Sequence, residues 1–560
     1  MLSFKWPHSE NGGLFFGGWR IRKICTQRSK KQKAEKDIFL SHWLGERMVI
    51  DDISLGGDKQ DQQDIKKTLV EGKKKYELVS AKVMADEEKN HSGQGFQLKK
   101  ECLRLVYAEV EGPNEETVDL KQMLEALGDF GSLPPRKTAA RLELFQSPAF
   151  KFKSHPHTTY ALLPFDASDL VLIDCQGQDG CGFICEVYLE ELLGNNAAAK
   201  RVVAIQVRIY SPQHGVFKGV LVRKHITSGP RIQANDTMQK VGPSRVSSDS
   251  NAVLVVTKIG MHLYSTNKQV ARLLDPNGKA VTKAFKEALQ RKKLSPEITR
   301  LWKGLGVPEA IITSYVSHCR RPEGRNHAYV VGVADPTSQL PPGSIFITGT
   351  SKANWSMKEL FVTRHPCVEP KDGRMLPVVT SKPADMTQEN WDWLQTLHFG
   401  AIVFANPRPR ERPLAEFVAS GDLDGDLFFI CWHEAILERT KAEPITDAER
   451  LLPSETTETK PKSPYDPDWL EKTQRLMLDA VTLSDLHRLI GKLYNTAKEL
   501  ADKSPRFMHE PDAISFARAC KRALEMGKHG GKVYLPEHLH EKLPDNLQKF
   551  LVASTEEVKD

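Results

Sequence analysis

The stretch that decides the fold and chemistry of this chain is ASGDLDGDLFFICW, residues 419–432. It places Asp422, Asp424 and Asp426 at alternate positions, with Gly425 between the last two. Carboxylates this close destabilise one another unless a cation lies among them. The apolar runs on either side, AIVFA and LFFICW, are typical of β-strands. The sequence therefore predicts a tight loop between strands that presents three carboxylates at one place.

Two common explanations of such a loop fit poorly. An EF-hand calcium loop needs glycine at position 6 and glutamate at position 12, and counting from Asp422 these positions hold Leu427 and His433. An ordinary β-turn explains one aspartate and the glycine, but not three acids. A Mg²⁺ site explains all three, because this ion prefers oxygen ligands and is shared with substrate phosphates. The loop predicts metal-dependent phosphoryl transfer, with the aspartates as ligands.

Composition limits the class of protein. The chain has 560 residues, of which 40% are hydrophobic and 27% charged, with a formal net charge of +7. These values are typical of a globular protein of several domains and are compatible with a nucleic-acid partner. No apolar run is long enough to span a membrane, and the N-terminus is too polar for a secretory leader. The nine cysteines contain no C-x-x-C pair. We therefore expect free thiols in the cytoplasm or nucleus.

The pattern along the chain predicts an α+β organisation. Short apolar runs bounded by Gly, Pro and Asn, such as DLVLID and FKGVLVRK, form two strand-rich blocks. Apolar residues three to four apart predict a helix in residues 278–294 and further helices near the C-terminus. The expected segments are a basic N-terminal tail (1–37), a small α+β or partly disordered region (38–137), a first β-block (138–275), a helical connector (276–325), a second β-block with the aspartate loop (326–440), a linker (441–469) and a helical C-terminal region (470–560).

The aspartate loop also carries a family resemblance. SGDLDGDLFFICW resembles the D-x-D-G-D signature of the cellular, eukaryotic-type RNA-dependent RNA polymerases of RNA silencing. Further segments resemble that family in the same order: ARLELFQSPAF, DGCGFI, AIQVRI, FKGVLV, NDTMQKV, VVGVADPTSQLPPGSIFI and FVTRHPCVEPKDGRMLPVV. The likeness covers residues 138–435 well and continues more weakly through ALEMGKHGGKVYLP. Each flanking segment alone is a weak signal, whereas the aspartate loop in this ordered context is a specific one.

The resemblance implies a fold and a set of site residues. The fold would be two double-psi β-barrels joined by a helical connector and followed by a helical head. Asp422, Asp424 and Asp426 would hold Mg²⁺ or Mn²⁺ on the second barrel. Lys218 and Lys240 would reach the same cleft from the first barrel and stabilise phosphate charge. The candidates for further contacts to substrate or RNA are Arg364, Arg208 and Lys528.

The activity implied is template-directed nucleotidyl transfer that copies single-stranded RNA from nucleoside triphosphates. Its product would be double-stranded RNA for small-RNA gene silencing, with silencing proteins as further partners and no membrane association. Two alternatives stay open. One is a catalytically inactive RNA-binding paralogue that acts as a scaffold, and the other is a single-chain DNA-directed RNA polymerase. The family's members often run to twice this length, so we expect a compact member or one with less template-handling machinery.

Overall fold

The structure is a computed structural model. It describes residues 21–22, 48–54, 68–71, 74–89, 96–111, 117, 119–147, 162–174, 179–193, 199–259, 294–319, 326–349, 357–452 and 464–553. Most of the predicted tail (1–37) and nearly all of the helix expected in residues 278–294 lie outside these residues. Of the helices that the structure describes, none has both the length and the apolar character needed to cross a bilayer.

The N-terminal part is a five-stranded sheet followed by two short helices. Its strand order is β1-β2-β5-β4-β3. The strands are β1 (Ile21–Arg22), β2 (Met48–Ser54), β3 (Thr68–Glu71), β4 (Lys74–Lys89) and β5 (Phe96–Glu111). Helix α1 (Leu120–Glu125) is capped by the Asp119 carboxylate, and α2 (Pro135–Leu142) has proline in its first turn. Both helices pack on a core that reaches Trp469 in the C-terminal region.

The first large sheet has eight strands of mixed direction. Seven of them are ordered β6-β13-β9-β10-β8-β11-β7, and β12 pairs with β10. Their bounds are β6 (Leu162–Asp166), β7 (Leu170–Ile173), β8 (Cys181–Cys185), β9 (Ala204–Ser211), β10 (Gly215–Lys224), β11 (Ile232–Asn235), β12 (Gln239–Val241) and β13 (Asn251–Ile259). Helix α3 (Glu186–Leu192) follows β8. Because β8, β9 and β10 are buried at nearly every position, their near-continuous apolar runs are those of strands covered on both faces.

Two helices lead to the second large sheet, whose strand order is β15-β18-β14-β19-β16-β17. The helices are α4 (Pro296–Gly304) and α5 (Glu309–His318). The strands are β14 (His327–Ala334), β15 (Ile345–Ile347), β16 (Glu359–Arg364), β17 (Arg374–Pro377), β18 (Ala401–Phe404) and β19 (Leu427–Cys431), with α6 (Gln388–Thr396), α7 (Glu434–Leu437) and α8 (Asp447–Arg450) beside them. The aspartate loop leads directly into β19, which lies centrally in the sheet.

The C-terminal part is mainly helical. It consists of α9 (Trp469–Met477), α10 (Ala480–Lys503), α11 (Pro511–His529), β20 (Val533–Leu535), α12 (Asp545–Gln548) and β21 (Leu551–Ala553). The further helices expected near the C-terminus are present, and Leu486, Leu489 and Leu493 on one face of α10 are buried against Phe516 and Ala523. The chain is thus α+β, with a helical C-terminal part beside two mixed sheets.

The two large sheets share one hydrophobic core. Phe183 and Val222 of the first sheet pack in the same cluster as Val333, Ile402 and side chains around them in the second. Dense apolar packing resists relative movement of the two sheets. The core therefore fixes the end of β10 opposite the loop before β19, and this is where the candidate site lies.

Candidate active site

Close contacts with the first sheet hold the aspartate loop. The backbone N–H of Leu423 donates to the carbonyl oxygen of Asp179 at 3.0 Å, and the Gln206 amide donates to the Asp424 carbonyl oxygen at 2.9 Å. Gly180 has φ +81°, and a Cβ there would lie 2.4 Å from the Asp424 Cβ. Only glycine permits this approach. The DGCG turn therefore supports the aspartate loop from the neighbouring sheet.

Glycine is also required inside the loop. Gly425 has φ +135°, a conformation that residues with a Cβ rarely adopt. A Cβ at this position would lie 1.9 Å from the Gln206 amide nitrogen, the same amide that holds the loop. This glycine is thus required both by the backbone conformation of the loop and by the close contact between the two sheets.

Two of the three aspartates form ion pairs across the site. Lys218 Nζ lies 2.5 Å from Asp424 Oδ2, and Arg364 Nη1 lies 2.8 Å from Asp426 Oδ2. Burial by itself would raise the pKa of Asp424, but Lys218 outweighs it and the pKa is lowered. Arg364 also donates to two backbone carbonyl oxygens at the start of the loop. The structure thus brings together four of the predicted residues in direct contact.

Asp422 differs from its neighbours because no cation pairs with it among the described residues. Burial, followed by the negative charges of Asp424 and Asp426, raises its pKa to about 7. A divalent cation would relieve this repulsion, and three carboxylates are the hard oxygen donors that Mg²⁺ and Mn²⁺ prefer. The three carboxylates therefore fit such an ion. Without the ion, Lys218 and Arg364 neutralise two of them, Asp424 and Asp426.

Asp422→Asn is expected to stabilise the metal-free protein at alkaline pH. A carboxyl whose pKa is raised on folding binds a proton more strongly in the folded state, so stability falls as pH rises from about 4 to about 7. The variant lacks this loss, and its free energy of unfolding should exceed that of wild type by on the order of 2 kcal/mol at pH 8. Urea denaturation in EDTA at pH 5 and pH 8 measures the difference. Exposed Asp385→Asn is the control, and parallel pH slopes for wild type and Asp422→Asn would contradict this expectation.

A cavity of about 610 Å³ opens beside the loop. Predicted residues that line it include Asp422, Asp424, Lys218, Lys240, Arg364 and Lys528. Lys240 donates to the Thr237 carbonyl oxygen at 2.5 Å and lies 4.0 Å from an oxygen of Asp179. Burial is the main cause that lowers the pKa of Lys240. Lys528 lies 3.2 Å from an oxygen of Glu525. Two separate sheets and helix α11 thus direct basic side chains into one space.

Arg208 does not line this cavity. Its side chain is buried, with Nε donating to Ser147 Oγ at 3.1 Å and Nη1 donating to the Val207 carbonyl oxygen at 2.8 Å. It pairs across the strands with Lys218, yet its guanidinium is used within the protein. In this position Arg208 does not reach the space where a substrate would bind.

Four basic residues that the sequence did not single out also line the cavity: Arg141, Arg412, Lys521 and His529. Lys521 shares a helix face with buried Ala517 and lies next to buried Cys520. A lysine on a face that is otherwise buried was a usable signal in the sequence. For Arg141 the signal was weaker, since it lies near the end of a short helix more than 270 residues before the aspartate loop.

Lys521 anchors the helical C-terminal part to the second sheet. Its Nζ donates to Asp372 Oδ1 at 2.5 Å and to Glu369, and both carboxylates are buried. Burial alone would lower the pKa of Lys521, but the two carboxylates outweigh it and raise the pKa. This ion-pair cluster fixes α11, and with it one wall of the cavity, to the turn before β17.

Lys521→Met is expected to lower the free energy of unfolding by on the order of 3 kcal/mol. The substitution keeps side-chain volume but leaves Glu369 and Asp372 buried without this cation, and breaking such a cluster costs far more than removing a surface pair. Urea denaturation at pH 7 measures the loss. Lys498→Met, an exposed lysine of α10, serves as control. A loss no larger than that of Lys498→Met would mean that the cluster contributes no net stability.

Within the described ranges, one group of three possible metal ligands has its donor atoms within 4.8 Å of one another: Glu297, His365 and Cys367. Each member is engaged within the protein. Glu297 accepts hydrogen bonds from His365 Nδ1 at 2.6 Å and from the Tyr494 hydroxyl, while His365 Nε2 lies 3.0 Å from the Tyr329 hydroxyl. We interpret this group as a partly buried hydrogen-bond network that joins α4, the end of β16 and α10.

Comparison with known proteins adds the following likenesses. A family model described as RNA dependent RNA polymerase matches residues 66–300 and 323–556. The chain is similar to RNA-dependent RNA polymerase 2 of Arabidopsis thaliana, with 24% identity over 274 residues that cover 43% of this chain and 21% of that protein. It is also similar to probable RNA-dependent RNA polymerase 2 of Oryza sativa subsp. japonica, with 25% identity over 310 residues that cover 51% of this chain and 25% of that protein.

Among solved structures, the chain resembles RNA dependent RNA polymerase QDE-1 from Thielavia terrestris. The TM-score is 0.57 at 14% sequence identity, over 96% of this chain and 67% of that one. At this identity the likeness concerns the fold. The matched parts span only a quarter or less of the two plant relatives.

Proposed function

The chain belongs to the RNA-dependent RNA polymerase family, and we propose that it catalyses template-directed RNA synthesis from nucleoside triphosphates. The observation that carries this proposal is the meeting of the aspartate loop with Lys218 and Lys240 at one cavity. The template is single-stranded RNA, and the product is double-stranded RNA that enters small-RNA gene silencing with the proteins of that process as partners.

The proposal includes the architecture of the two halves. The eight-stranded sheet, within 138–275, is the first double-psi β-barrel, and the six-stranded sheet, within 326–440, is the second. The helices of 276–325 connect them, and the part from residue 470 onward is the head. Support comes from the shared core of the two sheets and from the fold likeness to a solved polymerase of this family.

In the proposed reaction the 3′-hydroxyl oxygen of the growing strand forms a bond to the α-phosphorus of the incoming nucleotide. The bond between the α-phosphorus and the bridging oxygen breaks, pyrophosphate leaves, and the hydroxyl proton passes to solvent. Asp422, Asp424 and Asp426 are the ligands for Mg²⁺ or Mn²⁺, which when bound lowers the pKa of the attacking hydroxyl and neutralises charge on the leaving group. Lys218 and Lys240 bind phosphate oxygens and stabilise the charge that develops in the transition state.

Arg364 has a positioning role in this scheme. Its guanidinium contacts Asp426 and the carbonyl oxygens of Ala419 and Ser420 at the same time. Those two residues have positive φ values of 50° and 53°, which are unfavourable for residues with a Cβ. Arg364 thus compensates a strained segment and orients the last aspartate of the loop. It holds a ligand in place and leaves phosphate binding to the lysines.

The test is nucleotide incorporation by purified protein with single-stranded RNA, labelled nucleoside triphosphates and Mg²⁺ or Mn²⁺. We expect products whose length follows the template and that are cut by a nuclease specific for double-stranded RNA. A parallel reaction on single-stranded DNA of the same sequence distinguishes a DNA-directed enzyme. Binding of RNA without incorporation on either template would contradict the proposal and favour the non-catalytic scaffold.

A further inference from the structure

One wall of the cavity comes from a part of the chain outside both large sheets. Arg141 lies near the end of α2, and its side chain lines the cavity together with Lys240 and Asp424. The orientation of α2 is fixed, because Thr138 and Leu142 are buried in the adjoining core. Arg141 is therefore held in place by the fold and faces the aspartate loop from the N-terminal side.

The other lysines and arginines that line the cavity each have a protein partner. These pairs are Lys218 with Asp424, Lys240 with the Thr237 carbonyl oxygen, Arg364 with Asp426, Arg412 with Glu416, Lys521 with Asp372, and Lys528 with Glu525. Arg141 forms no such pair with any residue that the structure describes, and its Nε is buried without a hydrogen-bond partner. Guanidinium groups are seldom buried unless an anion or a hydrogen-bond acceptor meets them.

The surroundings of Arg141 indicate the class of ligand. Burial lowers its pKa, and the negative charges of Asp424, Asp179 and Glu525 act in the opposite direction without reaching ion-pairing distance. The guanidinium is planar and can donate two parallel hydrogen bonds to one oxyanion. A phosphate group bound by Arg141 would also lie beside Lys240, whose pKa is lowered by burial and, in smaller part, by the charge of Arg141.

We propose that Arg141 is a phosphate-binding residue of this cavity, contributed by α2 of the N-terminal part. The assignment of Arg141 to phosphate binding rests on the proposed function only for the source of the phosphate. That source is the triphosphate of an incoming nucleotide or the backbone of bound RNA. The first source fits better, because Arg141 lines the same cavity as Lys218, Lys240 and Asp424, the residues proposed to act on the incoming nucleotide. The N-terminal part thereby contributes directly to substrate binding in addition to packing.

The test compares Arg141→Gln, Arg141→Lys and Arg136→Gln in the full chain. Arg136 lies on the same helix, is exposed and does not line the cavity, so it is a matched control. Affinity for tripolyphosphate and for ATP is measured by calorimetry, and affinity for 5′-hydroxyl single-stranded RNA by fluorescence anisotropy. We expect Arg141→Gln to weaken tripolyphosphate and ATP binding by about tenfold to a hundredfold, Arg141→Lys by less, and Arg136→Gln by under about twofold.

The outcomes are distinct. Loss of affinity confined to RNA supports the phosphate site and assigns it to the RNA backbone. Unchanged affinity for all three ligands at an unchanged melting temperature overturns the proposal, and so does wild-type protein that binds none of them. Where Arg141→Gln lowers the melting temperature, Arg141→Lys decides, because it retains the charge and loses only the planar donor pair. Wild-type protein that binds tripolyphosphate through Arg141 but incorporates no nucleotide would overturn the polymerase function and leave this site standing.

Discussion

Asp426→Asn is expected to reduce template-directed nucleotide incorporation by about a thousandfold or more while the protein remains folded. The amide has the shape of the carboxylate and can still accept hydrogen bonds from the Asp422 backbone N–H and from Arg364. The negative charge is lost, and with it one of the three oxygen ligands proposed for the catalytic ion. The measurement is the initial rate of labelled nucleotide incorporation at saturating substrate, together with the melting temperature.

Metal binding provides a second readout for the same variant. Asp426→Asn should weaken Mn²⁺ binding by at least about tenfold, as measured by the loss of the free-ion signal in electron paramagnetic resonance. Exposed Asp385→Ala in the same sheet region is the control and should change neither quantity. Undiminished incorporation by a folded Asp426→Asn protein would mean that the aspartate loop is not the catalytic centre.

The sequence predicts those parts of the candidate site whose chemistry is local. Three acids within five residues cannot be explained by packing, so the loop was recognisable without a structure. The apolar runs on either side of it predict strands because strands buried on both faces need apolar residues at consecutive positions. For Lys218 and Lys240, the family resemblance was needed, since a lysine at a strand end is otherwise most often a solvated side chain.

The rest depends on long-range packing that a sequence does not encode locally. Arg208 and Lys218 are paired across two neighbouring strands. The Arg208 guanidinium nevertheless donates to Ser147 within the protein, whereas the Lys218 side chain reaches the cavity and Asp424. Arg141 and Lys521 enter the cavity because α2 and α11 are packed there by cores formed from distant segments. No periodicity within either helix indicates what lies opposite its charged residue. The need for Gly180 follows from the same cause, because the atom that excludes a Cβ belongs to Asp424 in the other sheet.

Lys218→Met is expected to lower the rate of incorporation by about a hundredfold to a thousandfold, mainly in kcat. In the proposed reaction the lysine binds a phosphate whose charge grows in the transition state, so its loss should affect the chemical step more than substrate binding. The same substitution should leave Mn²⁺ affinity unchanged or make it roughly threefold tighter, because Lys218 Nζ pairs with Asp424 at 2.5 Å and competes with the ion for that carboxylate. Lys224→Met, six residues along the same strand, is the control.

A loss of rate without a loss of Mn²⁺ affinity separates a catalytic lysine from a structural one. If Lys218 only held the aspartate loop in shape, its removal would disorder the ligands, and Mn²⁺ affinity would fall together with activity as it does for Asp426→Asn. If it binds phosphate, activity falls while Mn²⁺ affinity is kept, and Lys218→Arg recovers part of the rate because the charge is retained at a different geometry. Parallel loss of rate and Mn²⁺ affinity in Lys218→Met would therefore contradict its proposed role and assign it to the support of Asp424.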